Sequence, residues 1–195
     1  MGATVEKRTL ARARGFWLRR SQSRGDDQKQ TARVSSLLRS RILPNEFFES
    51  ALDMGSGRGR FIPILSSFCG HVWAVDIVQD VLSDIEHKAP SATAFYVDDV
   101  YRLPDGPHDL LWSAFFFQHL TDLGLFLAVC AEVKRVMQPG SRVILLENAK
   151  DRAAHICSRT PPEYAEALGL ADYTSKLVTV NARPNDHWWI EGRMP

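Results

Sequence analysis

The feature that most constrains the fold is a repeated alternation of short apolar runs with helical patterns along the middle of the chain. The apolar runs are four or five residues long, and turns or apolar residues at helical spacing separate them. They are predicted as strands at residues 51–54, 72–76, 94–97, 110–113 and 142–146. Near-continuous apolar runs are typical of strands that are buried on both faces. The alternation therefore predicts a parallel sheet with helices on both sides.

Two more strands are predicted near the end of the sequence, at residues 176–182 and 187–191. The link between them is too short for a parallel crossover, so they should form an antiparallel hairpin at one edge of the sheet. Helices are predicted at residues 28–42, 121–137 and 161–168. The predicted fold class is thus α/β, a three-layer sandwich, with residues 28–195 as one domain and residues 1–27 as a basic arm.

Composition limits the class of protein further. The 195 residues are 45% hydrophobic and 24% charged, which is ordinary globular composition and excludes wholesale disorder. The three cysteines lie far apart, which disfavours a disulfide scaffold and predicts a reducing compartment, the cytoplasm. No apolar run approaches the roughly 20 residues of a membrane-spanning helix. The six histidines show no ligand spacing with each other or with cysteine, so no metal site is predicted.

Charge is distributed unevenly along the chain. Residues 1–41 hold eleven Lys and Arg against three acidic residues, a net charge of +8, and the remainder carries −7. A basic segment of this kind could bind nucleic acid, here through residues 7–41. The alternatives are a solvated helical face that neutralises the acidic body, and a transit peptide. Trp17, isolated among these basic residues, is predicted to dock as part of a lid rather than to stack on a base.

A glycine-rich turn follows the first predicted strand, with the sequence Asp-Met-Gly-Ser-Gly-Arg-Gly-Arg at residues 53–60. Its glycines allow a tight turn and a close approach of the backbone to a ligand. The helix that follows offers free N–H groups at its start. A dinucleotide fingerprint needs a glycine where Arg60 stands, and no Gly-Lys-Ser/Thr follows, so the pattern fits neither a pyrophosphate site nor a P-loop.

Acidic residues stand at the ends of three successive predicted strands. Asp53 ends the first, Asp76 ends the second, and Asp98 with Asp99 follows the third. An acid in the position of Asp76 can accept hydrogen bonds from the paired hydroxyls of a ribose. Each acid alone is equally explained as a helix cap or a turn residue. Acidic residues at three successive strand ends, beside a glycine turn, favour a ligand site at this edge of the sheet.

With these motifs the sequence resembles the class I S-adenosylmethionine-dependent methyltransferases. Residues 53–59 resemble the first motif of that family, Asp76 its ribose-binding acid, and Asp98-Asp99 its adenine-contacting position. Three further segments are similar to its fourth strand, the segment after it and the turn into the fifth strand: residues 108–113, 117–120 and 136–143. In that turn, Ser141 replaces the second glycine of the family. The resemblance covers residues 28–195.

The resemblance implies S-adenosylmethionine as cofactor, with S-adenosylhomocysteine as product, a seven-stranded, mostly parallel sheet with an antiparallel last strand, and an N-terminal helical lid. The cofactor-binding residues that it implies are Asp53, Gly55, Ser56, Gly57, Gly59, Asp76, Ile77, Asp98, Asp99, Val100 and Ser113. In this scheme the glycine loop cradles the methionine part, Ile77 lies against the adenine, and Asp98 or Asp99 faces its amine. A positive side chain, Arg33 or Arg60, would meet the methionine carboxylate.

Two candidate catalytic residues follow the fourth and fifth strands. His119 is the first candidate for a general base or a substrate contact, and Glu147 is expected to line the acceptor site. His119 could instead make an ordinary structural hydrogen bond, and Glu147 could cap the next segment. The aromatic run at residues 115–117 could wall a cofactor or a planar substrate, or belong to the core.

The predicted function is transfer of a methyl group from S-adenosylmethionine to oxygen or nitrogen of a small-molecule acceptor. A first alternative is methylation of RNA or another polyanion that binds the basic arm. A second is a scaffold protein that keeps the fold without catalysis. A third keeps the cofactor but changes the reaction, to transfer or cyclisation of another part of it.

Overall fold

The computed structural model describes residues 2–21, 28–98, 101–151, 153–180 and 184–195, and in the first helix the side chains of residues 9–19. It contains one seven-stranded sheet with the order β3-β2-β1-β4-β5-β7-β6. The strands are β1 (Phe48–Met54), β2 (Cys69–Asp76), β3 (Ala92–Tyr96), β4 (His108–Ala114), β5 (Met137–Asn148), β6 (Ala171–Val178) and β7 (His187–Arg193). The first five strands pair in parallel, and β7 is antiparallel to both of its neighbours. The predicted sheet is therefore confirmed.

Six α-helices connect and cover the strands in the described part of the chain. They are α1 (Gly2–Ser21), α2 (Gln28–Arg39), α3 (Ile62–Leu65), α4 (Ile85–Lys88), α5 (Leu123–Val136) and α6 (Pro161–Leu168). Local sequence sets several of their ends. Asp122 caps α5 by accepting a hydrogen bond from the Leu125 N–H at 2.8 Å. Thr160 and Glu163 form a capping box at the start of α6, and Gly169, in a left-handed conformation, caps its end.

The sheet separates two apolar layers. On one face, α2, α3 and α4 pack over a cluster that includes Trp112 and Trp189. On the other, α5 and α6 pack over a cluster that includes Leu111 and Ile190. Alternation along a strand produces this division, since Leu111 and Trp112 point to opposite faces. The predicted three-layer sandwich follows directly from it.

Helix α1 contributes to both layers. Leu10 is 2% exposed and belongs to the cluster under α5, whereas Trp17 and Leu18 pack against the cluster under α2. A single helix can contact both faces of a sheet only if it crosses the edge at which the strands begin or end. The contacts described below place it at the carboxyl ends of the parallel strands. No helix in the described ranges has the length and apolar character that a membrane crossing requires.

One strand differs from the sequence prediction. β6 spans Ala171–Val178, whereas residues 176–182 were expected, and residues 181 and 182 of that prediction lie outside the described residues. All residues of β6 up to Leu177 are exposed, and β6 is an edge strand of the sheet. An exposed strand has no apolar run to mark it, which is why the sequence pattern misplaced it. Helix α2 likewise ends at Arg39, three residues earlier than predicted.

Candidate functional site

The candidate site lies at the carboxyl ends of the parallel strands, where the strand order reverses between β1 and β4. In open α/β sheets, ligands bind at such a switch point because the loops after the two strands leave in opposite directions. Asp53 is aligned with Ala74 of β2 and with Trp112 of β4, so the ends of these strands lie side by side. The predicted site residues on β1, β2 and β4 therefore share one edge of the sheet.

The glycine loop after β1 is held against β2 and turns through left-handed conformations. The N–H groups of Gly55 and Ser56 both donate to the carbonyl of Val75, at 2.9 and 3.0 Å. Gly55, Gly57 and Gly59 have φ values of 68°, 54° and 71°, which favour glycine. A methyl group on Gly55 would meet Phe116 at 2.6 Å, whereas one on Gly57 would meet no described atom within 4 Å. The backbone at Gly57 is thus open to a ligand.

Two polar side chains at this loop are buried without a hydrogen-bond partner among the described residues. They are Asp53, 2% exposed, through its Oδ2 atom, and Ser56, 6% exposed, through its Oγ atom. Burial raises the pKa of Asp53 to about 7, although the charge of nearby Arg60 opposes the rise. A buried carboxyl oxygen that lacks a donor costs free energy. Asp53 is therefore suited to accept a hydrogen bond from a cationic ligand group.

Asp76, at the end of β2, links the strand to the glycine loop. Its Oδ2 accepts from the Gly57 N–H and its Oδ1 from the Val78 N–H, both at 2.9 Å. Burial raises the pKa of Asp76, and these donors counteract part of the rise. A carboxylate has about four acceptor positions, so two hydrogen bonds leave capacity for the hydroxyls of a ribose. The residues present at this edge fit the methionine and ribose parts of S-adenosylmethionine.

The ends of β2 and β3 are occupied by a residue that the sequence analysis missed. Arg14 of α1 donates hydrogen bonds to the carbonyls of Ile77 at 3.0 Å, Val97 at 3.1 Å and Asp98 at 3.0 Å. Its guanidinium also lies over the Tyr96 ring, 5.1 Å from the centroid. The predicted contacts Asp99 and Val100 lie outside the described residues.

Glu147, a predicted catalytic residue, is fully buried and binds the loop after β4. It accepts hydrogen bonds from the N–H groups of Phe116, Phe117 and Gln118 at 3.0–3.2 Å, and from the Ser113 hydroxyl at 3.3 Å. Burial raises its pKa to about 7, and the donors limit the rise. The geometry matches the capping alternative, and it turns the Ser113 hydroxyl toward Glu147. The catalytic role of Glu147 and the cofactor contact of Ser113 remain predictions.

His119, the other predicted catalytic residue, lies where α1 meets the loop after β4. Its Nδ1 is 3.0 Å from the carbonyl of His155, and the two imidazoles stack with centroids 5.4 Å apart. Its Nε2 is 3.2 Å from the side-chain nitrogen of Gln118. The Trp17 ring packs edge-on against His119 at 4.4 Å. The structure thus joins the tryptophan predicted as a lid contact to the histidine predicted as a base.

The aromatic run after β4 divides between the core and the site. Phe117 is fully buried, whereas Phe115 and Phe116 are half-buried at the strand ends. Phe115 has a φ of 62°, and non-glycine residues in this region often mark functional sites. The Arg60 guanidinium lies 5.3 Å from its ring, and the His187 ring lies 5.2 Å away on another side. His187 is itself hydrogen-bonded to Asp186, a pair whose role the sequence did not indicate.

Of the two arginines expected at the methionine carboxylate, Arg60 and Arg33, only one lies near the glycine loop. Arg60 donates to Gln30 at 2.7 Å and lies beside Phe115, close enough to Asp53 to lower its pKa. Arg33 donates to the Val180 carbonyl near β6. Arg60 is therefore the one at the glycine loop. Among the described residues, no group of three or more His, Cys, Asp and Glu side chains could hold a metal ion.

Comparison with known proteins decides the family. Residues 52–145, which run from β1 into β5, match the family described as "Methyltransferase domain". This part of the chain thus forms a methyltransferase domain. The prediction of a methyltransferase, and so of an enzyme, is confirmed. The fold predicted from the motifs is shared with solved structures in complex with S-adenosylhomocysteine or S-adenosylmethionine. No curated protein matches the sequence.

Solved structures of methyltransferases share the fold. The N-methyltransferase NodS from Bradyrhizobium japonicum WM9, in complex with S-adenosylhomocysteine, has a TM-score of 0.70 and 14% identity, covering 100% of this chain and 98% of its own. Haemonchus contortus phosphoethanolamine N-methyltransferase 1 has a TM-score of 0.70 and 15% identity, covering 100% of this chain and 50% of its own. An Aquifex aeolicus S-adenosylmethionine-dependent methyltransferase has a TM-score of 0.65 and 18% identity, covering 87% and 94%.

Proposed function

We propose that this methyltransferase transfers the methyl group of S-adenosylmethionine to a nitrogen or oxygen atom of a small-molecule acceptor. The observation that carries the proposal is the set of groups at the switch point: the open backbone at Gly57, the buried and unpartnered Oδ2 of Asp53, and the Asp76 carboxylate. These groups offer a close backbone approach, an acceptor for an ammonium and an acceptor for hydroxyls. Together they suit an amino acid joined to a nucleoside.

Each of these residues has a proposed task. When bound, S-adenosylmethionine supplies a methyl group that is already activated on a sulfonium. Asp53 accepts from the ammonium group, Asp76 from the ribose hydroxyls, and Arg60 pairs with the carboxylate. Holding the two reactants in line and excluding water is then the main work of the protein.

The acceptor is proposed to bind on the side of β4 and β5. Phe115 and Phe116 are half-buried there, and His119 lies beside them on the loop, covered by Trp17 of α1. His119 remains the proposed base for an acceptor that must lose a proton. A neighbour in fold is named a phosphoethanolamine N-methyltransferase and was solved with phosphoethanolamine, which supports an amine of that size as acceptor.

The distribution of the basic residues supports a small acceptor over a polyanion. Arg14, Arg33 and Arg41 each bind groups of the protein itself: backbone carbonyls in the first two cases and Glu191 in the third. That part of the +8 charge therefore stabilises the fold. Arg12 and Lys29 are exposed, so methylation of a polyanion is the alternative to test.

The test is transfer of a labelled methyl group to a panel of acceptors. Purified full-length protein would be incubated with methyl-labelled S-adenosylmethionine and either small amines and hydroxy compounds, phosphoethanolamine included, or total RNA. We expect label in a small molecule, at a rate little affected by salt. Label in RNA that disappears as salt rises would support the alternative. Binding of S-adenosylhomocysteine with no transfer to any acceptor would favour the scaffold reading.

A further inference from the structure

Arg14 lies where the cofactor's adenine is expected. The resemblance places adenine between Ile77, just after β2, and Asp98, just after β3. The Arg14 guanidinium donates to the carbonyls of both residues at 3.0 Å, so it spans that gap. A third hydrogen bond, to Val97, holds it between the two strand ends. A guanidinium and an adenine ring cannot occupy the same volume.

The rest of α1 anchors Arg14 in this position. One turn before it, Leu10 is 2% exposed and lies in the same apolar cluster as Val97. One turn after it, Trp17 packs edge-on against His119 at 4.4 Å and against His155 at 6.0 Å. The helix is thus fixed on both sides of Arg14 and crosses the carboxyl ends of the strands. These contacts give α1 a defined position on the sheet, and they are lost when α1 moves away.

We propose that α1 and the adenosine part of the cofactor compete for the ends of β2 and β3, and that Arg14 is the competing group. This inference rests on the proposed function. The carbonyls that Arg14 occupies are acceptors, and the amine of adenine is a donor, so one set of acceptors suits both. The cofactor can bind only when Arg14 has left the strand ends. The apparent affinity for the cofactor is therefore reduced to the extent that α1 occupies the position seen in this structure.

The competition makes α1 a regulator of cofactor loading. By linkage, anything that keeps α1 away from the strand ends raises the affinity for the cofactor. The bound cofactor weakens the docking of α1 by the same factor. Release of α1 also withdraws Trp17 from His119, so cofactor loading and opening of the acceptor side are coupled. One helix thereby controls both halves of the site.

The first test compares the affinity for S-adenosylhomocysteine of the full-length wild type, Arg14→Ala and Arg12→Ala, measured by isothermal titration calorimetry. Arg12 is exposed on the same helix and serves as the matched control. We expect Arg14→Ala to bind about tenfold more tightly, within the usual range of coupling between sites, and Arg12→Ala to bind as the wild type does. Weaker or unchanged binding by Arg14→Ala overturns the proposal. Arg14→Gln, with the helix content of each variant checked by circular dichroism, gives an independent comparison.

The second test reads the position of α1 directly. Trypsin cleaves after arginine, and Arg12 and Arg19 are exposed within α1. We expect S-adenosylhomocysteine to speed cleavage at these sites in the wild type, because the displaced helix becomes accessible. In Arg14→Ala, cleavage should be fast without it. Protection of α1 by S-adenosylhomocysteine, or an unchanged rate, overturns the proposal.

The two proposals fail in different ways. If the wild type binds S-adenosylhomocysteine and Arg14→Ala binds it less tightly, the proposed function stands and Arg14 belongs to the cofactor's own site. If neither the wild type nor Arg14→Ala binds S-adenosylhomocysteine at any concentration up to its solubility limit, the proposed function fails, and the proposed competition fails with it. Tighter binding by Arg14→Ala together with faster proteolysis supports both.

Discussion

At the scale of the residue, Asp76 is the side chain whose geometry makes the sharpest prediction. Its carboxylate accepts hydrogen bonds from the glycine loop and from Val78, just after β2, and keeps acceptor capacity for two hydroxyls. Asp76→Ala should weaken S-adenosylhomocysteine binding about a hundredfold, since charge-assisted hydrogen bonds contribute about 1.5–3 kcal/mol each. Calorimetric titration measures the change, with exposed Asp80→Ala as the control. An unchanged affinity would contradict the assignment of Asp76.

Glu147 allows a structural role to be separated from a catalytic one. Glu147→Gln replaces one of two acceptor oxygens with an NH₂ group, which would face backbone N–H donors in a fully buried place. We expect the free energy of unfolding to fall by about 2 kcal/mol, the cost of an unsatisfied buried group, in urea titrations. Glu166→Gln, at an exposed position on α6, should be neutral. Unchanged stability combined with lost turnover would make Glu147 catalytic instead.

At the scale of the element, the glycine loop separates folding from binding. Gly55→Ala should destabilise the fold strongly, because its methyl group meets Phe116 at 2.6 Å in addition to the left-handed strain. Gly57→Ala should cost only that strain, about 1 kcal/mol, but its methyl group projects into the open space of the site. We therefore expect thermal unfolding to be affected most at residue 55 and cofactor affinity at residue 57. The opposite order would contradict this description of the loop.

Helix α1 is the second element whose role can be tested as a unit. Removing residues 1–24 takes away Trp17, which packs on His119 beside the proposed acceptor site. If α1 closes again over the acceptor side after the cofactor has displaced Arg14, its removal should lower turnover at saturating S-adenosylmethionine, because water is no longer excluded. Steady-state rates of the truncated and full-length proteins measure this. Equal rates would leave α1 with a role in cofactor loading alone.

At the scale of the whole molecule, buried acids should give the protein an unusual dependence of stability on pH. The pKa of Asp53 rises from 3.8 to about 7 on folding, so between these values the folded protein holds a proton that the unfolded chain has lost. Stability therefore falls as pH rises from about 4 to about 7 and then levels off. Glu147, with its pKa also raised to about 7, acts in the same direction.

Asp53→Asn isolates the contribution of Asp53 to this behaviour. The variant cannot ionise, so its stability relative to the wild type should increase by about 1 kcal/mol per pH unit between pH 5 and pH 7. Urea midpoints at pH 5, 6, 7 and 8 measure the difference, and Asp80→Asn provides an exposed control. A difference that does not change with pH would show that Asp53 ionises normally in the folded protein.

Local sequence determined most of the sheet and the first half of the site. Buried parallel strands need continuous apolar runs, and a tight turn that meets a ligand needs glycine, so β1 to β5 and the loop at Gly55–Gly59 were predictable. Asp53 and Asp76 were predictable because carboxyl ends of neighbouring parallel strands must share one edge. In each case, the physical requirement falls on residues that are adjacent in the chain.

Only the tertiary structure decided the remaining features. Arg14 is 63 to 84 residues away in sequence from its hydrogen-bond partners. It is one of eleven basic residues within residues 1–41, and nothing in the local sequence distinguishes it from the others. Glu147 reaches its donors across 29 to 34 residues of sequence. The pair Asp186 and His187 joins the site only because β7 returns antiparallel beside β5. Edge strand β6 is exposed, so it left no apolar pattern to find. The sequence specifies what a residue can do, whereas these contacts depend on which distant segments the packing of the sheet brings together.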